Sequence, residues 1–305
     1  MNGAQIRQRL KPWMLPAAML CGVLFHEQIT DVAFVVPYLI FTMLLITFCR
    51  IDPQHFGLSK MMWPLLAVQM LGSSALFLAI SPFDRDIAQG LFICVLCPTA
   101  TAAPVITGML GGSVTQVIAY SIVNNVTVAL AAPFLFTWVG NSDVDIIDTA
   151  LSILSQVTPM ILGPLLIALT MHKFTPKVKQ KIASVQSASF YIWTVALFIA
   201  VGKATAFVMK APSEEIPAIT ALAIGAGVVC ITMFFIGHKI GQKYGDSISG
   251  AQGLGQKNTI LAIWMALNYL NPIASVAPAA YIAWHNIINS TQLYLHQKRQ
   301  LKNNI

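Results

Sequence analysis

Long apolar segments separated by short polar ones cover almost the whole chain. Most of them reach or approach the length of about 20 residues that a helix needs to cross a bilayer. The ten segments are residues 12–26, 32–49, 59–81, 87–111, 113–140, 147–171, 178–204, 215–240, 247–270 and 272–296. The pattern predicts an all-α polytopic membrane protein with ten transmembrane helices in a single transmembrane domain over residues 1–305.

Composition excludes an ordinary soluble domain. Of the 305 residues, 56% are hydrophobic and 10% are charged, and the mean hydropathy is +0.71. The polar N-terminus and the absence of a small-residue cleavage site before His26 predict no cleavable signal peptide. All five cysteines fall within apolar segments, which indicates packed thiols rather than disulfides.

The charged residues divide unequally between the two sides of the predicted membrane. Fourteen of the eighteen lysines and arginines lie on one side and three on the other, while Lys257 falls within a segment. The positive-inside rule therefore places both termini in the cytoplasm, in a plasma membrane or a bacterial inner membrane. This topology accounts for the net charge of +7. The expected partner is the lipid bilayer, with no nucleic acid.

The ten segments form two halves of five, residues 1–144 and 145–305. An odd number of segments per half gives the halves opposite orientations, which is the condition for an inverted repeat. Helix-breaking residues interrupt the fourth and the ninth segments, at matching positions. The predicted breaks are Pro98 and Pro104 in the fourth and Gly253 and Gly255 in the ninth. Such a pair predicts broken helices that cross near the midplane and form a transport site.

Lys257 is the single charged side chain in the predicted interior. It lies about 16 Å into the ninth segment at about 1.5 Å per residue, near the middle of a bilayer core of about 30 Å. Its side chain is too short to reach either interface from that depth, so its partners should lie inside the protein. The alternative is a segment that begins later and leaves Lys257 at a water-exposed helix end.

The breaks favour an anionic ligand. A membrane-buried break leaves backbone groups unpaired, which is tolerated where protein, water or a ligand satisfies them. Pro104 suits the first turn of a restarted helix, and Asn258 or Thr259 suits an N-cap. The restarted helices would direct partial positive charge at the crossing, where Lys257 adds a full one. A carboxylate is the leading substrate hypothesis.

Two roles are open for Lys257. It could stay charged as a fixed counter-ion, or it could take up and release a proton during transport. The candidate substrate and coupling residues are Lys257, Gln256, Asn258, Thr259, Gln69, Thr99, Thr101, Ser121, Asn125, His285, Asn286 and Asn289. Gln116 and Asn124 are also able to line the cavity. For each polar residue the alternative is an interhelical hydrogen bond. His285 could be a proton relay or a packed histidine bonded to a neighbouring helix.

The broken fourth and ninth segments and the run Gln-Lys-Asn-Thr-Ile-Leu-Ala at residues 256–262 resemble the bile acid/sodium symporter family. The resemblance implies a panel subdomain (residues 12–49 and 147–204) that moves against a core subdomain (residues 59–140 and 215–296). It also implies transport of organic anions such as bile acids or pantoate, coupled to two sodium ions.

The chain departs from that family where sodium should bind. Lys257 occupies the place of a glutamine ligand, Gly253 or Gln252 that of the acidic ligand, and Ala103-Pro104 that of a Ser-Asn pair. The residual sodium positions are Gln69, Ser121 and Asn258, too few hard oxygens for two dehydrated ions. The resemblance thus suggests a sodium-independent carrier in which the Lys257 ammonium, with Gln69 as partner, replaces a coupling cation. The expected coupling ion is H⁺ or none, and no cofactor or metal is expected.

Other functions remain as alternatives. One is a conventional sodium symporter. A remote one is an intramembrane enzyme, which is disfavoured because no aspartate or glutamate falls in the interior of a segment, away from its ends. A channel is a third, less suited to one buried charge between interrupted repeats. The substrate's identity, the direction of net transport and the oligomeric state are left open by the sequence.

Overall fold

The computed structural model describes residues 14, 17–50, 57, 59–100, 102–140, 146–210 and 212–303. Within these ranges the regular structure is helical, and no strand forms. The α-helices are α1 (residues 17–24), α2 (His26–Ile29), α3 (Val36–Cys49), α4 (Met62–Ile80), α5 (Arg85–Leu96), α6 (Ala103–Leu110), α7 (Val114–Val139), α8 (Ile146–Phe174), α9 (Pro176–Ser184), α10 (Gln186–Lys210), α11 (Ile216–Lys243), α12 (Ser247–Gly255), α13 (Thr259–Tyr269) and α14 (Val276–Asn303). Short 3-10 helices (Thr30–Val35, Ser213–Glu215 and Pro272–Ser275) lead into α3, α11 and α14.

The helices lie in the predicted apolar segments. Five helical stretches are long and apolar enough to cross a membrane, by length and composition. They are Asp31–Cys49, Met62–Ile80, Val114–Val139, Tyr191–Lys210 and Ser213–Lys243. The prediction of an all-α protein with membrane-type helices is therefore confirmed.

Side chains cap the helices that surround the interruptions. In each cap an oxygen accepts a hydrogen bond from a first-turn N–H that has no partner within the helix. The capping residues are Asp84 for α5, Ser113 for α7, Asp246 for α12 and Asn258 for α13. The end of α6 is fixed differently, by Gly111 at φ 86°, a left-handed conformation that favours glycine.

The seventh predicted segment, residues 178–204, starts too early. The chain instead forms the short basic helix α9 and then turns at Val185 into α10. Pro176 explains the separation from α8, because proline is favoured in the first turn of a helix and cannot continue one. Lys179 of α9 is buried, with its Nζ atom 3.2 Å from Nδ1 of His172.

The second predicted segment also begins differently. Residues Thr30–Val35 form a 3-10 helix, and the α-helix begins only at Val36, with Pro37 in its first turn. The first segment bends at Phe25, between α1 and α2.

Two buried apolar clusters surround the interrupted helices. One joins Phe92 of α5 and Phe136 of α7 to Ile263 of α13, and the two phenyl rings meet edge to face at 6.2 Å. The other joins Leu65 of α4 and Leu254 of α12. Each interrupted helix also packs against the opposite half of the chain. Helix α5 contacts α11 and α14, while α12 contacts α4 and α7.

Candidate functional site

The two interrupted helices meet where their helical hydrogen bonding stops. Thr99, between α5 and α6, lies opposite Lys257, between α12 and α13, in an antiparallel bridge. Ala100 N donates to Gln256 O at 2.9 Å, and Asn258 N donates to Pro98 O at 2.8 Å. The backbone groups freed by one interruption are thus satisfied by the other, as a low-dielectric interior requires.

The positions of the breaks match the sequence prediction in three of four residues. Pro98 lies in the first interruption, and Pro104 lies in the first turn of α6. Gly255 is the last residue of α12. Gly253 was predicted as a break and is not one, because it lies within α12 and its carbonyl accepts a hydrogen bond across the crossing. Its lack of a side chain has a packing role instead, since a Cβ there would lie 3.0 Å from the Tyr120 ring.

Lys257 is only 1% exposed, so the alternative of a water-exposed helix end is wrong. Its ammonium donates to Val95 O at 2.8 Å, in the last turn of α5. Thr99 makes the reciprocal contact, donating from Oγ1 to Gly253 O at 2.7 Å in α12. Each residue of the bridge therefore caps the C-terminal, partially negative end of the other interrupted helix.

The electrostatic surroundings of Lys257 hold no opposite charge among the described residues. The ionisable side chains that act on it are the thiols of Cys94, Cys97 and Cys230, which are free and buried. Sγ of Cys97 lies 2.8 Å from Asn258 O and donates to it. A cation held in this way is attracted by a backbone dipole alone, which leaves most of its charge available to a ligand.

Gln69 does not contact Lys257, contrary to the expectation that it is its partner. Its Nε2 donates to Leu96 O at 2.7 Å, to Cys97 O at 3.1 Å and to Asn124 Oδ1 at 2.9 Å. Asn124 Nδ2 donates back to Gln69 Oε1 at 2.8 Å and to Thr99 Oγ1 at 3.1 Å. This amide pair connects α4 and α7 to the first interruption. The hydrogen bond of Lys257 is made to Val95 O instead.

Two of the three residual sodium positions, Gln69 and Asn258, use their side-chain oxygens in hydrogen bonds within the protein. Gln69 Oε1 accepts from Asn124 and from Tyr120. Asn258 Oδ1 accepts from Leu261 N at 3.3 Å as the N-cap of α13, the role predicted for it. Ser121 lies one turn from Asn125 on α7, and the Asn125 amide donates to Ser121 O at 2.6 Å.

The remaining candidates fall into three places. Gln256 and Thr259 are buried at the crossing, on either side of Lys257 and Asn258. Asn286 bonds to Ile282 O of its own helix, and Asn289 accepts from Gln252 Nε2 at 3.2 Å, so neither joins the crossing. Thr101 lies outside the described residues.

The hydrogen bonding of His285 also differs from the prediction. It is 2% exposed, yet neither of its ring nitrogens has a hydrogen-bond partner in the described protein, so the packed histidine bonded to a neighbouring helix is not found. Its ring lies edge-on to Tyr281, with centroids 5.9 Å apart.

Two tyrosines at the crossing were not predicted as site residues. Tyr120 donates to Gln69 Oε1 at 3.2 Å, and Tyr281 donates to Gly255 O at 2.8 Å, the last carbonyl of α12. The signal was their spacing: each lies four residues before a polar side chain, Asn124 or His285, and so on the same helix face.

No family model matches this chain, and no curated protein matches it.

Proposed function

We propose that this chain is a secondary active transporter of organic anions of the carboxylate type, working by alternating access and without sodium. The observation that carries the proposal is the buried side-chain amine of Lys257 at the crossing of two interrupted helices, with no carboxylate partner among the described residues. Intramembrane charges are costly and are usually functional.

The sign of the local field supports an anion. The N-termini of α6 and α13 begin within a few residues of the crossing, so their partial positive charge adds to that of Lys257. The opposite ends, those of α5 and α12, are already capped by Lys257, Thr99 and Tyr281. The positive potential there would attract a carboxylate and repel a second cation.

The proposed architecture is two inverted repeats of five spans, with both termini in the cytoplasm. Reciprocal contacts support it. The same interval along the chain separates Thr99 from Lys257 and Ser113 from Asn271, the residues that begin the spans after the interruptions. Ser113 N donates to Asp246 Oδ2 in front of α12, and Asn271 N donates to Gln89 Oε1 of α5. Each half thus gives the other the same kind of contact at the same place.

Sodium independence is supported by the chemistry of the residual positions. Two of them, Gln69 and Asn258, already use their side-chain oxygens inside the protein. Sodium needs several hard oxygens at once, and among the described residues no carboxylate lies at the crossing. In the proposed transporter the ammonium of Lys257 takes the place of the coupling cation.

Uptake into proteoliposomes tests the function. We expect saturable uptake of labelled taurocholate or pantoate that is unchanged when Na⁺ is replaced by choline, and that is driven by an acid outer solution. Counterflow of unlabelled substrate would distinguish a carrier from a channel. Empty liposomes and the Lys257→Gln variant serve as controls and should show no driven uptake. Strict dependence on Na⁺ would contradict the proposal.

A further inference from the structure

One face of α14 carries a stripe of polar side chains. Their spacing of three or four residues keeps them on the same side of the helix, as one row along about 22 Å at about 1.5 Å per residue. The stripe consists of Tyr281, His285, Asn289, Gln292 and His296. It faces α12, because Gln252 Nε2 donates to Asn289 Oδ1 at 3.2 Å and to Gln292 Oε1 at 2.8 Å, and Tyr281 donates to Gly255 O. We call this row, with Gln252 and Gln256 of the facing segment, the α12–α14 seam.

The seam contains most of the buried side-chain atoms that lack a partner in the described protein. They are Oε1 of Gln252, Oε1 of Gln256 and both ring nitrogens of His285, on residues that are 0%, 3% and 2% exposed. A buried polar atom without a partner costs about 1–3 kcal/mol, so native proteins rarely leave such atoms unsatisfied. A polar space of this kind is where buried water molecules bind, each with two to four polar partners.

The seam has two ends. At one end lies a cleft of about 210 Å³, lined by Gln292 and His296 of α14, by Ala251 of α12 and by His238 of α11. At the other end Tyr281 bonds to Gly255, two residues before Lys257. Cys230 of α11, Tyr281 and Val95 belong to one buried cluster at this end, and Val95 O accepts the hydrogen bond from Lys257. The polar row therefore extends from a cleft between four helices to the cluster that contacts Lys257.

We propose that the α12–α14 seam holds a chain of bound water molecules that carries a proton between the cleft and Lys257, with His285 as a relay. This inference rests on the transport function proposed above and adds the identity of the coupling ion, H⁺. The amine of Lys257 takes up one proton together with the anion on one side of the membrane and becomes the ammonium. When the anion leaves on the other side, the ammonium releases that proton through the water chain to the cleft. His285 accepts a proton at one ring nitrogen while releasing one from the other, so its net charge is unchanged after each transfer.

The groups facing the path agree with this role. The titratable side chains along it are Tyr281 and His285 of α14 and Cys230 of α11, with His238 and His296 at the cleft. Among the described residues of the seam none is a carboxylate, which would hold the proton instead of passing it to Lys257. The remaining members, Gln252, Gln256, Asn289 and Gln292, are amides, which orient water by donating and accepting.

Separating proton movement from substrate exchange tests the seam. The variants are His285→Phe and Gln292→Leu, with Thr291→Val on the exposed face of α14 as the matched control. In proteoliposomes that contain the pH dye pyranine, we expect acid-driven taurocholate uptake and the dye signal to fall about ten-fold relative to counterflow, equivalent to about 1.4 kcal/mol. The control should retain the wild-type ratio.

The outcomes divide as follows. If driven uptake and counterflow fall by the same factor in both seam variants, or if neither changes, the seam does not carry the proton. Wild-type counterflow without any dye signal would overturn the seam and leave the carrier standing. Absence of counterflow in the wild type would instead overturn the proposed function.

Radiolytic hydroxyl labelling of the wild-type protein tests the water chain without any transport. Bound water next to a side chain is the source of the hydroxyl radical, so we expect oxidation of Tyr281 and His285 although both are buried. Tyr120 is the control, since it is equally buried and bonds to Gln69. Protection of Tyr281 and His285 equal to that of Tyr120 would overturn the proposal.

Discussion

At the residue scale, Lys257 is held at a cost to stability. Transfer of an ammonium from water into the protein interior costs several kcal/mol. One hydrogen bond to Val95 O and the dipole at the end of α5 return part of this, about 1–3 kcal/mol for the bond and up to about 2 kcal/mol for the dipole. No carboxylate among the described residues makes up the difference. A residue that opposes stability in this way is expected at a functional site.

The substitution Lys257→Met should therefore raise the thermal stability in detergent while abolishing transport. Methionine has a similar shape and removes the buried charge, and the lost bond to Val95 O costs less than the ammonium does. Scanning fluorimetry would measure the unfolding temperature, with Lys239→Met on the exposed face of α11 as the control. A lower unfolding temperature than in the wild type would show that the ammonium is mainly a structural cap of α5.

At the element scale, the interrupted helix α12 is placed by close backbone contact with α11. Gly237 and Gly241 of α11 lie one turn apart and face Gly250 of α12. A Cβ on Gly250 would lie 2.7 Å from Gly241 Cα and 2.8 Å from Gly241 N, and it would also collide with Gly237 O. Small residues at helix contacts allow such an approach in membrane proteins. This contact sets the position of α12 along the axis of α11. It therefore also sets the position of Lys257, which follows the end of α12.

We expect Gly250→Ala to destabilise the protein by about 1–3 kcal/mol, because backbone must move to admit the methyl group. Gly72→Ala in α4 is the matched control, since its Cβ would meet only Val68 Cγ1 at 4.0 Å. Thermal unfolding of both variants in the same detergent measures the difference. Equal unfolding temperatures for the two variants would mean that α11 and α12 are not held by this contact.

At the scale of the whole molecule, each interrupted helix contacts both halves of the chain. Helix α5 packs against α11 and α14, and α12 packs against α4 and α7, so neither interrupted helix is completed by its own half alone. The hydrogen bonds that Ser113 N and Asn271 N donate also join the two halves, at the two ends of the crossing. Contacts of this kind between the halves suit the proposed transport site, which opens alternately to either side of the membrane.

If the halves are inverted, the turns that precede the two interrupted helices face opposite sides of the membrane. Phe83, in the turn before α5, is 89% exposed, and Tyr244, before α12, is 41% exposed. In a Cys21→Ser background, a membrane-impermeant maleimide applied to intact cells should label Phe83→Cys and leave Tyr244→Cys unlabelled until the cells are permeabilised. The four remaining native cysteines are buried. Labelling of both positions from outside would exclude the inverted arrangement.

The sequence alone determined where the helices form and where two of them stop. Apolar length, proline positions and capping side chains act locally, so interruptions within residues 97–104 and 253–259 were predicted from the sequence alone. Local sequence signals also gave wrong predictions at two places. The apolar run over residues 178–204 hid a separate helix before Gln186, and Gly253 was taken for a break although its role is to fit against Tyr120.

Only the tertiary structure decided which polar groups meet. Sequence spacing places Gln69, Lys257 and His285 near the middle of their apolar segments, but it does not set the rotation of α4, α12 or α14 about their axes. Packing sets it, through contacts between residues far apart in the chain. That rotation pairs Gln69 with Asn124 and turns Lys257 toward Val95. It leaves the ring nitrogens of His285 without a hydrogen-bond partner among the described residues. The position of a charged residue along an apolar segment can be read from the sequence. Its hydrogen-bond partners depend on how helices that are distant in the chain pack together.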